Sequence, residues 1–90
     1  MKQFAKLFDD SEIGQILVVM DKDEEDCPQV TVKFWYAQVN GYCKYSFGFT
    51  ENEEGFDKQQ KLFDKFDIRF ALDVVAAIKH DSPLKKASEK

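Results

Sequence analysis

The densest run of potential ligand atoms is Asp21-Lys22-Asp23-Glu24-Glu25-Asp26, five carboxylates in six residues. An Asp-x-Asp opening is how an EF-hand calcium loop begins. Such a loop needs Gly at its sixth place and Glu at its twelfth, where this chain has Asp26 and Val32, so that reading is excluded. Zinc chemistry is no better served, because Cys27, Cys43 and His80 stand far apart and lack the close pairing of metal-binding ligands. Ser11, Ser46, Ser82 and Ser88 have no nearby base to activate a hydroxyl, and no glycine-rich loop is present to cradle a phosphate. Carboxylates are abundant, but solvated carboxylates keep their ordinary pKa and make poor acids or bases near neutral pH. The expectation is a protein that is not an enzyme, with no catalytic residue, no metal ligand and no cofactor.

The two cysteines fit the same picture. Cys43 falls on an apolar strand face and reads as a small buried hydrophobe. Cys27 lies between Asp26 and Pro28, where neighbouring acids should raise its thiol pKa and so reduce its reactivity.

The elements that position these residues can be read from periodicity. At 90 residues, 43% apolar and 33% charged, the chain is long enough for one globular core and is neither low-complexity nor collagen-like. Phe4, Leu7 and Phe8 recur at helical spacing and predict a short N-terminal helix ended by Asp9-Asp10-Ser11. Gly14 to Met20 is apolar on both faces and reads as a strand covered on both sides. Gln29 to Val39 and Tyr42 to Thr50 each alternate, and Asn40-Gly41 between them is a strong two-residue turn signal. A turn there makes cross-strand partners sum to 81, which pairs Val32 with Phe49, Phe34 with Phe47, Tyr36 with Tyr45 and Gln38 with Cys43. Downstream, Thr50 to Glu53 fits a capping box in which Asn52 competes as the cap. Asp67 reads as the N-cap of a second helix that Ser82-Pro83 closes, with His80 near its end, where a cation suits the helix dipole. Two helices over 55–80 are preferred to one.

The expected fold is α+β: a three-stranded antiparallel meander with a short N-terminal helix and two C-terminal helices packed on the face that holds Phe34 and Phe47. The expected domain spans residues 1–80, followed by a mobile tail over 81–90.

Charge is unevenly spread along this frame. Residues 9–57 carry a net −9, residues 58–90 a net +3, and the whole chain −4. In a meander, the loop after the first strand and the segment after the third share one end of the sheet. That end gathers Asp21, Asp23, Glu24, Glu25, Asp26, Glu51, Glu53, Glu54 and Asp57 around Lys22. A field of this sign repels phosphate backbones and attracts basic proteins, while acidic loops also simply keep small domains soluble.

The second candidate surface is the hairpin face opposite Phe34, with Lys33, Trp35, Val39, Tyr42 and Lys44. Three readings stand for it: a partner or dimer surface anchored by Trp35 and Tyr42, a core layer beneath the N-terminal helix, or a stacking platform for single-stranded nucleic acid. The net negative charge disfavours the last.

The opening Phe4-Ala5-Lys6-Leu7-Phe8-Asp9-Asp10-Ser11-Glu12-Ile13-Gly14-Gln15-Ile16-Leu17-Val18, in a short acidic α+β chain, resembles the small accessory proteins encoded by phages and prophages. Characterised members include anti-CRISPR and anti-restriction proteins, often acidic, which occupy DNA-binding surfaces. The likeness is one of size, charge and style over the whole chain and assigns no residue a role. It implies an inhibitor whose partner is a protein with a basic surface. The alternative is a homodimer formed through the Trp35 face. No membrane partner and no direct nucleic-acid contact is expected. With no apolar run of spanning length and no export signal before Asp9-Asp10, the expected location is the cytoplasm.

Overall fold

The computed structural model describes residues 4–81. Four antiparallel strands run β1 (Ala5–Asp10), β2 (Gly14–Lys22), β3 (Pro28–Tyr36) and β4 (Gly41–Gly48), and two helices follow, α1 (Glu53–Lys65) and α2 (Ile68–Asp81). Spatial order equals chain order, so the sheet is a simple meander with β1 and β4 at its edges.

The α+β class, the antiparallel meander and the two C-terminal helices agree with the sequence reading. The N-terminal helix does not: residues 5–10 form an edge strand paired with β2, and the sheet has four strands where three were expected. Three apolar residues at helical spacing are a weak nucleus, because a first helical turn is costly to form. Pairing with β2 satisfies the same backbone groups at once, and Asp10 and Gly14 make the turn. Asp10 Oδ2 accepts from the N–H groups of Glu12 and Ile13 at 3.0 Å each, and Gly14 takes a φ of +89°.

The β3–β4 register also differs. Partners sum to 77 and not 81, so Val30 faces Phe47, Val32 faces Tyr45, Phe34 faces Cys43 and Trp35 faces Tyr42. The chain leaves β3 at Tyr36 and spends Ala37–Val39 in a 3-10 turn, and Asn40 alone takes the left-handed conformation, at φ 51°. Gly41 is already in β4. A shift of four is even, so every side chain keeps its predicted face although its partner changes.

The helices cover the face made by Ile16, Val18, Val30, Val32, Phe34 and Tyr36, and with Phe63, Phe66, Ala71 and Val75 these form the buried core. Asn52 is the N-cap of α1, accepting from the Gly55 N–H at 2.8 Å. Gly55 is buried where a Cβ would collide with the Thr50 carbonyl, so only glycine fits the start of this helix. Phe66 takes an extended conformation that ends α1, and Asp67 Oδ1 then accepts from the Phe70 N–H at 2.8 Å, the cap expected from the sequence. Gln59 is buried and bonds the strands to α1, its Nε2 donating to the carbonyls of Asp21 at 3.0 Å and Gln29 at 2.8 Å. Helix α2 extends through Asp81, and the remainder of the expected tail lies outside the described residues.

Candidate functional site

Two surfaces follow from this frame. The first is the acidic end. The β2–β3 loop and the segment after β4 meet there, because Gly48 pairs with Gln29 and the Phe49 N–H donates to the Pro28 carbonyl at 2.9 Å. Asp23 organises the loop: its Oδ1 accepts from the N–H groups of Glu25 and Cys27, both at 2.9 Å, and Asp26 closes the turn at a φ of 63°. Thus Asp23 is a structural residue first. Asp21 Oδ1 accepts from the Thr31 hydroxyl at 3.0 Å, and that hydroxyl also contacts Ser46 Oγ at 2.9 Å. Glu54 and Asp57 form exposed ion pairs with Lys58 at 3.1 Å and Lys61 at 2.9 Å, one helical turn along α1.

Among the described residues, no ion pair or side-chain hydrogen bond engages the carboxylates of Glu24, Glu25, Asp26, Glu51 or Glu53. These five are the unneutralised part of the predicted nine. Lys22 does not offset them by pairing; its ammonium lies 5.6 Å from the centre of the Phe56 ring. Cys27 sits within their field. Partial burial, and after it the charges of Asp23, Glu25 and Glu51, push its thiol pKa upward. The Phe49–Pro28 bond holds the two acidic segments side by side in space as well as in topology.

The second surface is the outer face of the sheet. Among the described residues no element packs on it, so the N-terminal segment does not cover Trp35 as a helix, and Trp35 is 39% exposed. The corrected register rebuilds the face. Trp35 and Tyr42 face one another with ring centres 5.1 Å apart in an edge-to-face arrangement, and Tyr42 is 67% exposed. Lys33 faces Lys44, and its ammonium lies 4.9 Å from the Tyr42 ring centre, which offsets part of the like-charge contact. Val39 is not on this face at all; it lies in the 3-10 turn.

Sequence reasoning missed Leu7 and Leu17, which face each other and extend the apolar part of this surface toward the β1 edge. The β2 alternation held a signal for Leu17. Leu7 was hidden by the assignment of its segment to a helix.

No three of His, Cys, Asp and Glu come together as a metal-holding group among the described residues. Both cysteines are free thiols. No helix among them is long and apolar enough to cross a membrane. Comparison with known proteins finds no matching family model, no matching curated protein and no matching solved structure.

Proposed function

We propose that this chain is a non-catalytic binding module whose acidic end takes up a basic surface of another protein, in the manner of a small inhibitor that blocks a nucleic-acid-binding site in the cytoplasm. The observation that carries the reading is the convergence of Glu24, Glu25 and Asp26 with Glu51 and Glu53 at one end of the sheet, without neutralising partners among the described residues. Leaving like charges together costs stability, and a partner's lysines and arginines would relieve that cost while the field steers their approach.

The test is binding to immobilised basic nucleic-acid-handling proteins at low and high salt, with Glu24→Lys, Glu25→Lys and Glu51→Lys combined. Asp23 and Asp26 are left intact because they shape the loop. The expected result is association slowed by at least about tenfold in the variant and by added salt, with the fold unchanged. Binding indifferent to both would overturn the proposal.

A second reading, self-association through the outer sheet face, is favoured by one observation: an edge-to-face Trp35–Tyr42 pair is exposed there. It predicts a dimer at micromolar concentration that becomes a monomer in Trp35→Ala. A monomer at every concentration removes it.

A further inference from the structure

Of the two sheet edges, β4 is the less protected. On β1, Lys6 turns a charged side chain to the inner face and Asp9 places another on the outer face, devices that discourage strand addition. On β4 the only charge is Lys44, there is no proline, and the register with β3 runs without a bulge.

The Phe49 N–H donates to the Pro28 carbonyl, so Pro28 and Phe49 are a hydrogen-bonded pair. Antiparallel pairs alternate, so Phe47, Tyr45 and Cys43 also bond inward to β3. The N–H and C=O groups of Tyr42, Lys44, Ser46 and Gly48 therefore point outward along an edge that no strand among the described residues pairs with.

Beside this edge lies a groove of about 540 Å³ between β4 and α1. Its floor is aromatic: Tyr45 and Phe47 stand edge to face at 4.9 Å, and Tyr45 is 48% exposed although it lies on the inner face. The helices sit over β1, β2 and β3, so α1 stops short of β4 and leaves that floor open. The far wall is a lysine row, Lys58, Lys61 and Lys65. Lys58 and Lys61 hold only exposed partners within their own helix, contacts weak enough to exchange.

We propose that the β4 edge takes up an extended acidic segment of a partner protein as a fifth strand, with alternate carboxylates entering the groove to meet Lys58, Lys61 and Lys65. A strand laid antiparallel along β4 bonds to the four outward amides and carbonyls. Its inner-face side chains pass over Tyr45 and Phe47 toward the lysines, and its outer-face side chains pass Lys44. The lysine row therefore selects acidic residues at the inner-face positions, every second residue of the added strand. This edge adjoins the acidic end at Gly48, and Lys58 and Lys61 pair with Glu54 and Asp57, but it binds through different groups, the β4 amides and the lysine row, so the two proposals can fail independently.

The probe is a capped peptide alternating glutamate and valine over the length of β4, eight residues. It is titrated into the full-length protein and followed by amide NMR. The expected result is shifts centred on Tyr42, Lys44, Ser46 and Gly48. Affinity is expected to fall at least about tenfold when the valines, whose amides face β4, are N-methylated. A similar fall, about tenfold, is expected in Lys58→Gln, Lys61→Gln, Lys65→Gln combined and for a lysine–valine peptide. The modified peptides leave the protein unaltered, so they decide the matter even if the triple variant folds poorly. No binding, binding that survives N-methylation, preference for an oligothymidylate, or a concentration-dependent dimer formed through the same amides would each overturn the proposal.

Discussion

The ammonium of Lys6 donates to the carbonyl of Phe63 at 2.7 Å, tying the first strand to the last turn of α1 across 57 positions of sequence. It also reaches the Phe66 carbonyl at 3.1 Å and lies 4.5 Å from the Phe63 ring centre. A helix C-terminus carries carbonyls without intrahelical partners and a partial negative charge, and here a cation from a neighbouring element satisfies both. Lys6→Met keeps the aliphatic volume and removes the donor. It should lower stability by about 1–3 kcal/mol, read as a reduced urea midpoint with an unchanged slope.

Gly55 permits the close approach of Thr50 to the first turn of α1. Gly55→Ala, which would stabilise an ordinary exposed helix, should here destabilise by about 1–3 kcal/mol or more, because backbone and not a flexible side chain obstructs the methyl. Thermal unfolding followed by circular dichroism decides the sign.

Trp35 is the only tryptophan and reports on its own face. Iodide should quench its emission readily in the free protein. Trp35→Ala should cost about 0.5–1.5 kcal/mol, the worth of its pairing with Tyr42, and not the 3–5 kcal/mol of a buried aromatic. A core-sized loss would mean that the face is covered.

The Cys27 thiol titrates above its ordinary value, through partial burial first and the surrounding acids second. A raised folded-state pKa means the folded form holds the proton more tightly. Its stabilising contribution is complete below the unfolded thiol's value, about 8.5, and is lost as pH rises through the folded one. In a Cys43→Ser background, the rate of alkylation against pH should show a midpoint above that of free cysteine. Glu51→Gln and added salt should both lower it.

How far the sequence could be read depended on the range of each signal. Asp67 as a cap and the split into two helices were legible because a short polar side chain before an apolar stripe acts locally. The partition of β3 and β4 into faces was legible because alternation is insensitive to an even slip. The register was not: Asn40-Gly41 named the place of the turn, but nothing in the local pattern separates Ala37–Val39 as strand from Ala37–Val39 as the 3-10 turn that Asn40 closes. The β1 strand was misread because its pairing is decided by β2, outside the window in which Phe4, Leu7 and Phe8 were compared. For the site, the gathering of acids at one end followed from topology alone. The separation of Asp21, Asp23, Glu54 and Asp57, which serve local bonds, from the five free carboxylates did not. The lysine groove was invisible because it depends on how far α1 reaches across the sheet.

Each strand pairs with its neighbour in the chain, and the helices come last. The fold can thus be assembled in the order in which it is synthesised. Hairpin closures are short, and only the docking of the helices, sealed by Lys6, must close a long loop. A nascent chain that has emerged as far as Gly48 already has the four strands β1 to β4 but not α1 or α2 to cover them, with Val18, Val32 and Phe34 facing water. The interval before α2 arrives is when this protein is most exposed to the hazards of the crowded ribosome exit.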